Sequence, residues 1–358
     1  MKLSTIRLQN FRNIAEASLE FGRGRVFFVG ANGQGKTNLL EAIGYVSALR
    51  AFRPGDNRAL IRDGAGEAGI GYVLEHERTG RSEVIVRIRL RGKEATLDGE
   101  PVRRLADYLG RFPTVLFSSG DIQLIRGAPA GRRRFLDLHL AGCEPGYLEA
   151  LQKYHRALEH RNRLLKEGGA GSALKAFERE MAPAAVRLIA ARRQAMEKLG
   201  GLVEAFHGRI SDGAETGTVA YRPDVEADSA EAFLALLAKN KMRDVQVGST
   251  QRGPHRDDFA FRLGGKDAAI FASEGQQRAL VLALRFGQLR DVRERSGVAP
   301  LVLADDVLGE LDPVRRERFW AALEDDVQLF ATGTTLPGNA GEGQWQVFRV
   351  EAGVFREA

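Results

Sequence analysis

Apolar and polar residues alternate over Leu3–Leu8 and again over Ala17–Phe21, while Val26-Phe27-Phe28-Val29 is an unbroken apolar run that stops at Gly30. A period of two predicts half-buried strands for the first two stretches, and the continuous run predicts a fully buried one. Asn38–Leu49 then takes helical spacing. Short alternating runs return between residues 69 and 102, among them Val84-Ile85-Val86-Arg87-Ile88-Arg89-Leu90. Asp98-Gly99 within them predicts the turn of an antiparallel hairpin.

From about Pro129 to Phe206 the period becomes helical. Glu149–Lys166 and Leu174–His207 are rich in Ala, Leu, Arg and Glu, and Gly168-Gly169-Ala170-Gly171-Ser172 separates them as a loop. A polar connection over residues 208–230, with a strand at Thr218–Tyr221, leads to a helix near 230–239 and another from 274 to about 294. Leu301-Val302-Leu303-Ala304 reads as a buried strand, and Val327–Ala331 and Gln346–Val350 close the sheet. There is no internal repeat, and the helical middle is too short for a long coiled coil. The pattern predicts an α/β fold: a mixed-sheet lobe I at 1–115 and 300–358, and a mostly helical lobe II at 116–299.

Composition narrows the class. With 358 residues, 44% apolar and 28% charged, the chain can bury a core in each lobe. Met1-Lys2-Leu3-Ser4-Thr5 opens no apolar run, so no signal peptide is expected. No stretch reaches the roughly 18 apolar residues of a membrane helix. The single cysteine, Cys143, offers neither a disulfide framework nor a metal cluster, as expected of a cytoplasmic protein. The net charge of +6 is concentrated: residues 121–210 hold 16 Lys/Arg against 10 Asp/Glu, a balance of +6, so the rest sums to zero. A local cationic excess points to nucleic acid. An arginine-rich solvated helical surface gives the same count.

Gly30-Ala31-Asn32-Gly33-Gln34-Gly35-Lys36-Thr37, followed by Asn38, fits G-x-x-x-x-G-K-[ST] between a predicted strand and a predicted helix. The glycines let backbone N–H groups turn toward phosphate, and the helix N-terminus adds a favourable dipole. Lys36 would meet the β- and γ-phosphates, and the Thr37 hydroxyl would ligate Mg²⁺. A P-loop needs a further acid for the metal. The strand Leu301–Ala304 ends in Asp305, placed to hold the metal, and Asp306, placed to polarise the attacking water.

Ser273-Glu274-Gly275-Gln276-Gln277 opens a periodic helix, where Ser273 and Gln276 form an S-x-x-Q capping box. The same geometry lets Ser273, Gly275 and Gln276 grip the γ-phosphate of ATP held by another subunit. In Gly309-Glu310-Leu311-Asp312-Pro313, Asp312 reads both as a helix N-cap and as a loop crossing a dimer interface.

These elements in this order resemble the ABC ATPase superfamily, and within it the chromosome-maintenance and repair branch. Asn10-Phe11-Arg12-Asn13, the P-loop, Arg252-Gly253-Pro254-His255-Arg256-Asp257-Asp258, Ser273–Arg278 and Ala304–Asp312 look like the RecF family from end to end. The resemblance implies a two-lobed ABC head, ATP-dependent homodimerisation, DNA binding and partnership with the RecR and RecO mediators. Two departures stand out. Most ABC ATPases carry Glu where Asp306 stands, and the shorter arm implies slower hydrolysis, suited to a timing switch. The switch histidine has no counterpart in Phe330-Ala331-Thr332-Gly333-Thr334, which leaves the choice between the threonines open.

The remaining candidates carry paired readings. Gln123 is either the Q-loop glutamine or an exposed loop residue. Arg132, Arg133 and Arg134 either contact DNA phosphates or pair with carboxylates of their own lobe. Arg50 and Arg53 either face the nucleotide or are solvated. His255-Arg256-Asp257-Asp258 is expected as an interlobe polar network rather than a metal cluster, since Thr37 and Asp305 already make a hard-metal site. The functional expectation is a weak, Mg²⁺-dependent ATPase that binds DNA in recombination and repair. A transporter ATPase subunit is disfavoured by the missing L-S-G-G-Q string, a small-molecule kinase by having no use for Ser273 or Asp312. In a non-hydrolysing DNA scaffold, Asp306 would be inert.

Overall fold

The computed structural model describes residues 1–53, 56–168, 171–211, 215–336 and 345–358. The chain divides into two compact units: Met1–Asp121, Arg209–Asp212 and Arg285–Ala358 form the first, Ile122–Gly208 and Gly213–Leu284 the second. The sequence boundaries at 115/116 and 299/300 compare with 121/122 and 284/285 here. Gly169 and Ala170 of the predicted loop lie outside the described residues.

The first unit opens with β1 (Lys2–Phe11), β2 (Ile14–Glu20) and β3 (Arg25–Val29), then α1 (Lys36–Tyr45). There follow β4 (Glu67–His76), β5 (Gly80–Arg89), β6 (Gly92–Leu97), β7 (Glu100–Pro101), α2 (Leu105–Tyr108) and β8 (Thr114–Ser118). An antiparallel sheet runs β2-β1-β4-β5-β6-β7. Its alternation is literal: Ser82, Val84, Val86 and Ile88 of β5 are buried, while Glu83, Ile85, Arg87 and Arg89 between them are exposed. Asp98 and Gly99 turn with φ of 51° and 84°, the mirror-image turn that suits a twisted hairpin. Leu3, Ile6 and Leu8 belong to the same core as Leu39 and Ile43 of α1.

The second unit holds α3 (Gln123–Arg126), α4 (Pro129–Cys143), α5 (Tyr147–Lys166) and α6 (Ser172–Ile210), with α6 running 39 residues. It continues through β9 (Gly217–Arg222), α7 (Ala230–Val247), β10 (Asp258–Leu263), β11 (Lys266–Asp267), α8 (Ala268–Phe271) and α9 (Glu274–Ser296). The second boundary falls within the uninterrupted α9, whereas 299/300 lies just past its end. Three buried arginine clusters organise the helices. Arg161 pairs with Asp244 at 2.8 Å, Arg192 with Asp257 and Asp137 at 2.8 Å each, and Arg132 with Asp258 at 2.6 Å. Tyr221 donates to Asp257 at 2.5 Å, and His255 bonds Tyr154 at 2.6 Å. The expected interlobe network at His255–Asp258 is thus corrected: these partners all belong to the second unit. Among the described residues no group of His, Cys, Asp and Glu could hold a metal as a cluster of three or more.

The chain returns to the first unit with β12 (Leu301–Asp305), α10 (Pro313–Ala322), β13 (Leu329–Gly333), β14 (Gln346–Glu351) and β15 (Val354–Glu357). They complete a second sheet, β15-β14-β3-β13-β12-β8, parallel except for β15. All five residues of β12 are buried, as a central parallel strand requires. The register sets Ala304 beside Ala331 and Asp305 beside Ser118. Parallel strands gather their carboxyl ends on one edge, where open α/β sheets bind ligands. Among the described residues no helix is long and apolar enough to cross a membrane.

Candidate nucleotide site

At that edge β3 passes through the glycine-rich loop into α1. Gly33 and Gly35 have φ of +79° and +114°, values that suit glycine and curl the backbone into an anion-binding concavity at the helix N-terminus. Lys36 is 3% exposed, and its ammonium donates to the carbonyls of Gly30 at 2.7 Å and Ala31 at 3.0 Å. The Thr37 hydroxyl donates to Asp305 Oδ1 at 2.8 Å across 268 residues of sequence. Burial raises the Asp305 carboxyl above the usual range, opposed by hydrogen bonds from Thr37 and Thr332. Asp306, half-buried, follows with a left-handed φ of 54°, and its amide donates to Thr332 Oγ1 at 3.0 Å. A hydroxyl and a carboxylate side by side are the hard oxygen donors that Mg²⁺ takes, so this pair fits the ion.

A second cluster surrounds the first turn of α1. Glu41 is fully buried and ion-paired with Arg12 and with Arg53, the latter at 2.6 Å. Arg53 also donates to Asn38 Oδ1 at 2.5 Å, and Asn38 donates to Asn13 Oδ1 at 2.7 Å. A buried carboxylate between two guanidiniums is compensated, and it fixes where both cations point. Arg53 is therefore not a merely solvated loop residue; Arg50 is exposed. Arg12, Asn13, Asn38, Arg58, Arg62 and Leu90 line a cavity of ≈ 740 Å³ on this side of the helix. Arg12 lies in the Asn10–Asn13 motif, whereas its partner Glu41 lies in none of the motifs. The signal was Glu41 itself, a charge on the apolar face of a helix.

In the second unit Ser273 and Gln276 form the predicted capping box. The Gln276 amide donates to Ser273 Oγ at 3.3 Å, and the Ser273 amide to Gln276 Oε1 at 2.8 Å. Ser273 is exposed, with Gly275 half-buried behind it. Gln123 is exposed at the first position of α3. In the first unit, Asp312 caps α10 by accepting from the Arg315 amide at 2.8 Å; that bond, with the Arg315 charge, holds its carboxyl below the usual range.

Of the two readings of the basic run, the pairing with carboxylates of its own unit holds for Arg132. Arg132 is 9% exposed, forks onto both oxygens of Asp258 and donates to the carbonyls of Leu124 and Gly127. It is an internal strut, with four of its five N–H donors bonded inside the unit. Arg133 donates to the Asp257 carbonyl at 3.0 Å, and Arg134 is half-buried and also engaged.

Residues 2–338 match the family described as the RecF/RecN/SMC N-terminal domain. The chain is 36% identical over 378 residues to a DNA replication and repair protein RecF of Rippkaea orientalis, covering 99% of each. It is 35% identical over 367 residues to the RecF of Symbiobacterium thermophilum, covering 99% of this chain and 97% of that one. A solved structure of the recombination mediator protein RecF with ATP, from the RecFOR pathway, superposes with a TM-score of 0.92 at 30% identity, covering 99% of this chain and 97% of that one. The Smc head domain of Pyrococcus furiosus shares the fold at a TM-score of 0.54 and 17% identity, covering 99% of this chain and 95% of that one. The chain belongs to the RecF/RecN/SMC N-terminal domain family and, within it, to the RecF proteins.

Proposed function

We propose that this protein is an ATP-dependent DNA-binding factor of recombination and repair, which dimerises on ATP and is released by slow hydrolysis. The observation that carries the reading is the Thr37–Asp305 hydrogen bond of 2.8 Å. It joins a P-loop to the acid at the end of a parallel strand one place removed in the sheet, the pairing that Mg²⁺-nucleotide chemistry requires.

In this reading the loop from Gly30 to Gly35 and the first turn at Lys36, Thr37 and Asn38 cradle the phosphates. Lys36 exchanges the loop carbonyls for phosphate oxygens. The cavity beside Arg12, Asn13 and Asn38 receives the rest of the nucleotide. Thr37 and Asp305 would hold Mg²⁺, which when bound offsets phosphate charge. Asp306 takes the proton of the attacking water, and its short arm makes that step slow. Ser273, Gly275 and Gln276 complete the site of a second copy, and Asp312 lies at the same interface. Gln123 is the candidate that senses the γ-phosphate. Family likeness supplies DNA, the RecR and RecO mediators that load recombinase at gaps, and a cytoplasmic setting.

The decisive measurement is mass in solution with ATP, ADP or neither, with and without duplex DNA. The expected result is a dimer with ATP alone, persistent in Asp306→Asn and absent in Lys36→Ala. A monomer under every condition overturns the dimer, and wild-type ATP affinity in folded Lys36→Ala overturns the P-loop assignment.

A further inference from the structure

The strands β14 and β15 form a hairpin whose turn, Ala352-Gly353, reaches the tip of the P-loop. The Ala352 amide donates to the side-chain carbonyl of Gln34 at 2.7 Å, and the Gly353 amide donates to the Gln34 backbone carbonyl at 2.8 Å. Asn13 Nδ2 approaches the same backbone carbonyl at 3.3 Å. One P-loop residue is thus gripped through both its oxygens by a turn 318 residues later in the chain.

The turn is shaped for this contact. Ala352 has φ of +48° and Gly353 of +81°. An alanine in the left-handed region is disfavoured and persists only where its surroundings hold it there, and such residues gather at functional sites. A Cβ added at Gly353 would lie 2.7 Å from the Asn13 carbonyl oxygen, so backbone would have to move. The hairpin, the Asn13 turn and the P-loop therefore meet at a point where none has slack.

We infer that the Ala352-Gly353 turn is a positioning element for nucleotide binding: by holding both oxygens of Gln34 it presets the P-loop in its phosphate-receiving curve. Gln34 then acts as an anchor, its side chain spent on the hairpin rather than on phosphate. A loop held in its bound shape has less ordering to do on binding, so the anchor raises affinity and leaves the chemical step alone. The inference rests on the P-loop reading above.

Gln34→Met tests it, since methionine matches the length and lacks the acceptor. Loss of one such hydrogen bond is expected to weaken binding of a fluorescent ATP analogue about fivefold. KM for ATP should rise to match, while kcat at saturation and the melting temperature without nucleotide stay at wild type. Gly353→Ala should weaken binding further by pushing on Asn13. Ala352→Gly, which keeps both amides and removes the left-handed alanine, should bind within about twofold of wild type. Unchanged nucleotide affinity in Gln34→Met overturns the inference, as does a fall in kcat with KM constant. Because Lys36→Ala is read alongside, the two failures separate: lost binding there with unchanged Gln34→Met removes only the hairpin's role, whereas retained binding in Lys36→Ala removes the site.

Discussion

The Thr332 hydroxyl touches both acidic residues of the site: it donates to Asp305 Oδ1 at 3.1 Å and accepts from the Asp306 amide at 3.0 Å. It is fully buried near the end of β13, whereas Thr334 is exposed. That resolves which threonine stands beside the carboxylates. Thr332 faces inward, so it acts on the acids rather than on solvent or ligand. It also satisfies the amide of a residue held at a left-handed φ of 54°.

Thr332→Val keeps the branched shape and deletes the hydroxyl. Asp305 then loses one of its two hydroxyl donors, and the Asp306 amide loses its acceptor. A misplaced base costs turnover before it costs binding, so kcat should fall about tenfold with ATP affinity within about twofold. Thr332→Ser should restore most of the rate. Steady-state phosphate release and analogue binding separate the outcomes, and a wild-type rate in Thr332→Val reduces the hydroxyl to packing.

How far the sequence could be read depended on the range of the interaction. The P-loop, the buried strand ending in Asp305 and Asp306, and the Ser273 cap each lie within a few residues, and local period or spacing marks them. The charge count over 121–210 includes Arg132, Arg161 and Arg192, which are inside the fold. Three of their partners, Asp258, Asp244 and Asp257, lie beyond residue 210, so a window that ends there counts the cations against only Asp137 and Glu178. The Gln34–Ala352 contact spans 318 residues and left no mark on local periodicity. Glu41 was legible in principle, as a carboxylate on a core-facing position that demands a partner.

The buried arginines give a direct check. Arg132→Ala removes a fork on Asp258 and strands the carbonyls of Leu124 and Gly127. Breaking such a pair from one side should destabilise the protein by about 3 kcal/mol, seen as a lower denaturant midpoint. In the protein that remains folded, DNA affinity and its slope against log salt should stay at wild type. A flattened salt slope with unchanged stability restores Arg132 to the DNA face.

His255 predicts a pH dependence. Its Nε2 bonds the Thr250 carbonyl at 3.0 Å and its Nδ1 meets the Tyr154 hydroxyl at 2.6 Å, a pattern met by the neutral ring. Burial pushes it from the usual 6.5 down to about 4. The unfolded chain therefore binds the extra proton first, so stability is intact above about pH 6.5 and falls as pH drops toward 4. The full loss is about 3 kcal/mol. His155 and His207, also lowered by burial, add in the same direction. Denaturation at pH 7 and pH 5 should show the drop, and His255→Gln should remove its largest part. An equal drop in that variant assigns it to the other histidines.

Ser273 separates the ATP-bridged dimer from any enzyme that completes its site within one chain. As a cap, Ser273 only starts α9, and its reciprocal bonds with Gln276 account for that role fully. In the proposed dimer the same exposed hydroxyl and helix N-terminus meet the γ-phosphate of the facing copy. Two substitutions divide the roles. Ser273→Asp keeps a good cap and suits the helix dipole, so the fold should hold its stability, yet it sets a carboxylate against phosphate. Ser273→Arg loses the cap at a cost of about 1 kcal/mol and adds bulk. Both should bind ATP as monomers with wild-type affinity, and neither should dimerise or hydrolyse. Mixed with Lys36→Ala, Ser273→Arg should allow at most one composite site per heterodimer, joining its own intact P-loop to the other chain's serine. Mass measurement with ATP decides the matter: if Ser273→Asp dimerises as the wild type does, the serine is a helix cap and the dimer needs another interface.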